Sequence, residues 1–262
     1  MQAQRLPITY QTTTNSKHPL IDMKTNFTLT AVIILFAAVV SLTSCQTQNV
    51  ASRFTSKYAK ANSGKIYAQS SETVDLGYAM LALTDVAKND TNIVNQNSAY
   101  YKELIIKLDQ FKNLKGVKQL NAQLSRNPLL VKNYIDGLYA FQMRDGRFGL
   151  KADYRIDLNK VDFKRYSILL ENFAKETGFH NFYMQHQELY NEMVQKANNQ
   201  YTLAEAQKTV SAQGYHIIVS PLTKNTATMT IKGHVYTEGV IFAGININNA
   251  QAASQQVLAS RE

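Results

Sequence analysis

The most specific chemical signal in the sequence is Cys45, the only cysteine among 262 residues. It ends the run LTSC, which follows Lys24 and an uncharged apolar stretch over residues 27–40. A positive n-region, a short apolar core and small residues before a cleavage point are typical of a secretory signal peptide. We interpret residues 23–44 as a lipoprotein signal peptide that is cleaved between Ser44 and Cys45.

The thiol of Cys45 accounts for this motif because it can form a thioether with a diacylglyceryl group. Cleavage then frees an amine that can carry a further acyl chain. Two or three chains anchor a protein stably where one does not, so we expect Cys45 to attach the mature protein to a membrane. This predicts a bacterial envelope lipoprotein, in the inner or the outer membrane. The alternatives are an ordinary signal peptide with a chance cysteine, or a short transmembrane anchor.

The polar residues 1–22 precede a signal that already has its own n-region. A secretory signal works at the N-terminus, so this extension is unexpected. We interpret residues 1–22 as a mis-assigned extension, with translation beginning at Met23.

A zinc-binding HExxH helix would carry two histidines on one face and a glutamate as general base. The nearest approach is the run HQELY, which begins at His186. Gln187 cannot act as a base, and Tyr190 stands where the second histidine is needed. We therefore predict that His186 is a surface or packing residue.

A second set of potential metal ligands is His216, His234 and Glu238. Two histidines and one carboxylate could form an open metal triad if their strands were paired. The alternative is a polar, solvent-facing side of an edge sheet, which the neighbouring lysines and threonines favour. We favour this alternative and predict no metal site and no cofactor.

Nucleophilic catalysis has no candidate residue. The sequence contains no GxSxG elbow, and its one cysteine is assigned to lipid attachment. The run DGRFG over residues 145–149 is too short for a phosphate-binding loop and is typical of a turn. We predict no catalytic residue.

The composition and charge of the chain limit the classes of partner that it could bind. The formal net charge is +9, but the lysines are dispersed and no base-stacking motif accompanies them. Together with export, this argues against nucleic acid, whereas a basic surface could meet anionic lipid or other anionic envelope polymers. With Cys45 lipidated, the mature chain can form no disulfide.

Hydrophobic periodicity predicts the helices and strands that position these residues. Residues 45–70 are polar and predict a flexible tether. Six or seven helices follow, over residues 72–88, 98–115, 117–124, 129–143, 161–177, 181–199 and 202–212. Three β-branched segments then predict strands over residues 215–220, 226–232 and 235–247. The predicted fold is α+β, with a mostly helical domain and a C-terminal sheet over residues 71–247 and a tail over residues 248–262.

Four segments resemble the bacterial family called domain of unknown function 4932, whose members are similar to exported, gluzincin-like metallopeptidases. They are ETVDLGYAMLALTD, YYKELIIKLDQFKNLKGV, ETGFHNFYMQHQELY and YHIIVSPL, starting at residues 72, 100, 176 and 215. They occur in the family's order and span most of residues 71–247.

The resemblance implies an HExxH helix after the last strand, but residues 248–262 contain no histidine. We therefore expect a truncated, non-catalytic metallopeptidase-like domain. The alternative is a non-catalytic binding or scaffolding lipoprotein. Without that helix, Val240, Phe242 and Ile245 on the strand over residues 235–247 should be exposed, which predicts self-association or a protein partner there.

Overall fold

The structure, a computed structural model, describes residues 53–144, 147–151 and 163–246. Within these ranges it contains ten α-helices and six strands, which confirms the predicted α+β class. The helices are α1 (Ser56–Asn62), α2 (Glu72–Ala82), α3 (Asp85–Asn89), α4 (Ala99–Leu108), α5 (Lys115–Arg126), α6 (Leu130–Leu138), α7 (Phe163–Thr177), α8 (Phe179–Gln185), α9 (Gln187–Gln200) and α10 (Leu203–Thr209). The strands are β1 (Ile66–Ser70), β2 (Phe141–Arg144), β3 (Arg147–Leu150), β4 (Gly214–Val219), β5 (Ala227–Lys232) and β6 (Thr237–Ala243).

The main sheet has the strand order β1-β4-β6-β5. β1 and β6 run parallel to β4, and β5 pairs with β6 in antiparallel orientation. All six residues of β4 are buried, as are the last six of β6. Apolar runs of this kind suit central strands that are covered on both faces.

Helices cover both faces of this sheet. Ile218, Val240 and Phe242 belong to the larger hydrophobic core, which also contains most of α2. Ile217 and Ile241 point to the opposite face, because side chains alternate along a strand. That face forms a second core with apolar residues of α9 and α10.

Helix α2 lies at the centre of the larger core, and every residue from Thr73 to Ala82 is buried. The Ser71 side chain accepts a hydrogen bond from the Val74 amide and begins the helix. A Cβ on Gly77 would overlap the side chain of Leu138, so this glycine allows α6 to pack closely. A helix that is apolar on all sides is expected in this buried position.

The predicted helix boundaries are wrong in three places. Residues 72–88 form two helices because the Thr84 side chain accepts from the Ala87 amide and begins a new one. Residues 181–199 belong to α8 and α9, which meet at His186. The helix predicted to reach residue 143 ends at Leu138, and the last residues of the predicted segment form β2, which pairs with β3 in an antiparallel hairpin.

The tether predicted over residues 45–70 is also wrong where the structure describes it. Phe54 is buried, α1 follows it, and β1 is an integral strand of the main sheet. Ile66 pairs with Tyr215, a partner distant in sequence that no local pattern could indicate. Residues 45–52 lie outside the described ranges.

The expected exposure of the last strand is wrong as well. β6 lies between β4 and β5, and Val240 and Phe242 are fully buried while Ile245 is 6 % exposed. Other parts of the described chain cover these three residues, so they offer no exposed apolar surface for self-association. Residues 248–262 are outside the described ranges.

The predicted signal peptide, with Ser44 and Cys45, also lies outside the described ranges. Across the residues that the structure describes, no helix combines the length and the hydropathy needed to cross a membrane.

Candidate functional site

The structure brings together two of the three potential metal ligands considered above, His216 and Glu238. Glu238 pairs with Gly214, so His216, two residues further along β4, points to the same face of the sheet. The two side chains are 4 % and 0 % exposed, and His216 Nε2 lies 3.6 Å from Glu238 Oε2. The predicted solvent-facing location is therefore wrong, because α1 and the residues around β2 cover this end of the sheet.

Three tyrosine hydroxyls surround this pair. Tyr139 Oη lies 2.7 Å from His216 Nδ1 and 3.0 Å from Glu238 Oε1. Tyr67 Oη lies 2.5 Å from His216 Nε2, and Tyr58 donates to Glu238 Oε2 at 2.5 Å. Buried polar groups need such partners, since an unpaired one costs about 1–3 kcal/mol.

The hydrogens can be assigned consistently along this cluster. If His216 carries its hydrogen on Nδ1, it donates to Tyr139 and accepts from Tyr67. Tyr139 then donates to Glu238, which also accepts from Tyr58. Each hydroxyl donates once, and both ring nitrogens and both carboxylate oxygens have a partner.

Burial sets the protonation of the cluster. It lowers the pKa of His216, although the nearby Glu238 charge acts in the opposite direction, so the imidazole is neutral at neutral pH. Burial and the Glu238 charge together raise the pKa of Tyr67 to about 12, which keeps its hydroxyl protonated. His216 and Tyr67 are therefore both uncharged beside Glu238.

Lys151 follows the β2–β3 hairpin and borders the same cluster. Its Nζ lies 4.0 Å from the centroid of the Tyr139 ring, a cation–π contact. Burial lowers the pKa of Lys151 to about 8, opposed by the charge of Glu238. A lysine with this pKa still carries most of its charge at pH 7 and balances part of the buried carboxylate.

His234 does not join this site. It is exposed in the turn between β5 and β6, which the Gly233 amide closes by donating to the Tyr236 carbonyl. β6 begins only at Thr237, so the alternation that would have placed His234 beside Glu238 does not reach it. Within the described part of the chain, no three His, Cys, Asp or Glu side chains cluster closely enough to hold a metal ion.

His186, the first residue of the HExxH-like run, packs between helices. Its Nδ1 donates to the Phe182 carbonyl at 2.8 Å, and its Nε2 lies 3.1 Å from Glu103. The ring also contacts the aromatic rings of Tyr100 and Phe182. This agrees with the packing role that the sequence predicts.

A second polar cluster surrounds Asp75 near the opposite end of β4. This α2 carboxylate is 1 % exposed and accepts hydrogen bonds from Ser220, Tyr190 and Tyr100. Burial raises its pKa to about 6, although these hydroxyl donors act in the opposite direction. The cluster joins α2, α4, α9 and the end of β4, and its donors already occupy both carboxylate oxygens.

Sequence reasoning missed the tyrosines and Lys151, and it missed Asp75. The tyrosines come from α1, β1 and the residue after α6, so no local spacing connects them. Asp75 lies in the segment 72–88, which was predicted as a helix from the spacing of its apolar residues. A carboxylate among the apolar residues of this helix is the one signal that could have marked it.

No protein-family model, curated protein or solved structure matches the chain. The resemblance to the metallopeptidase-like family stays a prediction.

Proposed function

We propose that this chain is a lipid-anchored protein of the bacterial cell envelope whose folded domain acts as a binding or scaffolding module. The main evidence for lipid anchoring is the single cysteine, which follows a short apolar signal core. It stands nine residues before Phe54, where the buried part of the domain begins. Lipid on Cys45 would therefore hold the domain close to the bilayer surface.

The interior of the candidate site supports a non-catalytic role. A catalytic zinc site keeps three protein ligands and one open position for water. Here both nitrogens of His216 and both oxygens of Glu238 are engaged by tyrosine hydroxyls. The polar groups of the cluster satisfy one another's hydrogen bonds. The best-supported role of the cluster is to hold α1 and the residue after α6 against the main sheet, which includes β1.

A second candidate is the truncated metallopeptidase-like domain that the family resemblance implies. It predicts an uncovered apolar face on β6, whereas Val240 and Phe242 are fully buried. Zinc analysis of the purified protein separates both of these non-catalytic candidates from a metal enzyme that would use His216, His234 and Glu238. We expect well under one zinc per chain and no chelator-sensitive proteolysis. One tightly bound zinc per chain, lost in His216→Ala, would favour the metal enzyme.

Metabolic labelling tests the anchor. Cells expressing the protein are fed an alkyne fatty acid, and we expect label on the wild-type protein and none on Cys45→Ser. The substituted protein should also remain as the longer precursor. Ser44→Ala is a control that keeps Cys45 and a small residue before it, and it should still be labelled. Unlabelled wild-type protein, or normal processing of Cys45→Ser, would contradict the proposal.

A further inference from the structure

Helix α1 begins eleven residues after the predicted lipid attachment point in the sequence. Phe54 stands nine positions after Cys45, and an extended chain spans at most about 3.5 Å per residue, or roughly 30 Å in all. Phe54 is only 6 % exposed. The part of the domain around α1 therefore cannot move far from a membrane that holds Cys45.

One side of α1 is attached firmly to the sheet. The Phe54 and Tyr58 rings stack with centroids 5.2 Å apart, and both contact Tyr236 edge-on. Tyr58 also donates to the buried carboxylate of Glu238. These contacts fix which side of α1 faces solvent.

The other side of α1 carries basic residues. Lys57 and Lys60 are three residues apart and therefore neighbours on a helix surface, and Arg53 and Lys65 lie just before and after the helix. All four side chains are exposed, and none forms an ion pair with any described residue. We call these four residues the basic face.

No acidic residue balances this charge locally. The chain contains no aspartate or glutamate from residue 46 to residue 71, whereas the basic face carries four positive charges. Some other lysines of the domain have acidic partners, as where Lys88 and Lys112 both contact Asp109. Lys115, Lys118 and Arg126 of α5 are also exposed without an ion pair among the described residues, but the basic face is the group that follows the predicted anchor directly in the sequence.

We propose that the basic face docks on the anionic phospholipid headgroups of the membrane that holds the anchor. This inference rests on the proposed lipid attachment. Juxtamembrane lysines and arginines are attracted to anionic lipid, and a lipid chain combined with a basic patch is a common pair of membrane signals. Docking in this way orients the domain, because α1 is attached rigidly to the sheet.

Energy transfer to the bilayer measures docking directly. In the mature protein Cys45 is blocked by lipid, so Ser63→Cys, at the exposed end of α1, supplies a single thiol for a donor dye. The labelled protein is reconstituted into vesicles that carry an acceptor lipid. One set is phosphatidylcholine alone, and the other is equal parts phosphatidylcholine and phosphatidylglycerol.

We expect stronger transfer with phosphatidylglycerol, and we expect this excess to disappear in high salt, which screens such attraction. Lys57→Gln/Lys60→Gln should lower the ratio of docked to undocked protein roughly 30-fold. Lys102→Gln/Lys118→Gln removes the same charge from exposed positions on other helices and should change little.

Equal transfer with both vesicle types would overturn the docking proposal, and so would equal losses in the two double variants. Neither result bears on the anchor, which the fatty-acid label on Cys45 reports separately. Unlabelled protein would instead contradict the proposed function before docking is measured.

Discussion

The hydroxyl of Tyr58 lies 2.5 Å from a carboxylate oxygen of Glu238, joining the first described helix to the strand near the other end of the chain. Glu238 is completely buried, so this donor replaces water that the carboxylate cannot reach. The same carboxylate accepts from Tyr139. One buried acid therefore holds both α1 and the segment after α6 against the sheet.

Removing the Tyr58 hydroxyl should weaken the domain. Tyr58→Phe keeps the ring contacts but leaves one oxygen of Glu238 without its donor. Hydrogen bonds to charged groups contribute about 1.5–3 kcal/mol, and we expect the free energy of unfolding to fall by about that amount. Urea denaturation followed by circular dichroism measures the loss.

Tyr201→Phe is the matched control, because its hydroxyl makes an exposed contact of 3.3 Å with Thr226. A surface substitution of this kind should change the free energy of unfolding by no more than about 0.5 kcal/mol. Equal stability of the Tyr58→Phe variant and the wild type would mean that α1 is not held by Glu238.

Gly214→Ala tests the contact between the end of α1 and β4. A Cβ at this position would overlap the Asn62 carbonyl and the Tyr236 hydroxyl. Overpacking of this kind costs about 1–3 kcal/mol, and we expect that fall in the free energy of unfolding. Gly149→Ala, where the Cβ would meet nothing within 4 Å, should be close to neutral. Similar effects in both variants would contradict the close packing of α1.

Asp75 should make stability depend on pH. Its pKa in the folded protein is about 6, whereas an unfolded aspartate titrates near about 3.9. The folded state thus binds the proton more tightly, and this stabilisation is complete below about pH 4 and lost as pH rises through about 6. Asp75 alone should lower the free energy of unfolding by up to about 3 kcal/mol over that range.

The difference between the wild type and Asp75→Asn isolates this effect. His216, whose pKa burial lowers, acts in the opposite direction, since its stabilisation is lost as pH falls, but it is present in both proteins. Thermal unfolding from pH 4 to pH 7 should show the stability of Asp75→Asn rising relative to that of Asp85→Asn, an exposed control, by up to about 3 kcal/mol. Parallel profiles would exclude a raised pKa for Asp75.

The parts of the fold that were predictable from the sequence have strong local signals. The α+β order followed from helical spacing and from a β-branched run such as that of β4. β1 was missed because IYAQS is a weak strand sequence that becomes ordered by pairing with β4. The split at Thr84 was missed because a single capping threonine interrupts a continuous apolar pattern.

The candidate site was only partly predictable, because local sequence signals do not report tertiary packing. His216 and Glu238 lie on strands that the sequence did indicate, so their proximity was a natural hypothesis. Their burial depends on α1 and on residues around β2, which the sequence predicted as a tether and as a helix. Tyr58 and Tyr139 reach the site only through this tertiary packing, which no spacing along the chain encodes.

The intact mass of the protein extracted from bacterial membranes tests the central claim most directly. The account predicts a chain that begins at Cys45 and carries the added mass of a diacylglyceryl group, with or without an amide-linked acyl chain. Alkaline hydrolysis should remove the ester-linked chains and leave the thioether in place. A membrane-extracted chain that retains residues 23–44, or one that begins at Cys45 with no added lipid mass, would contradict the account.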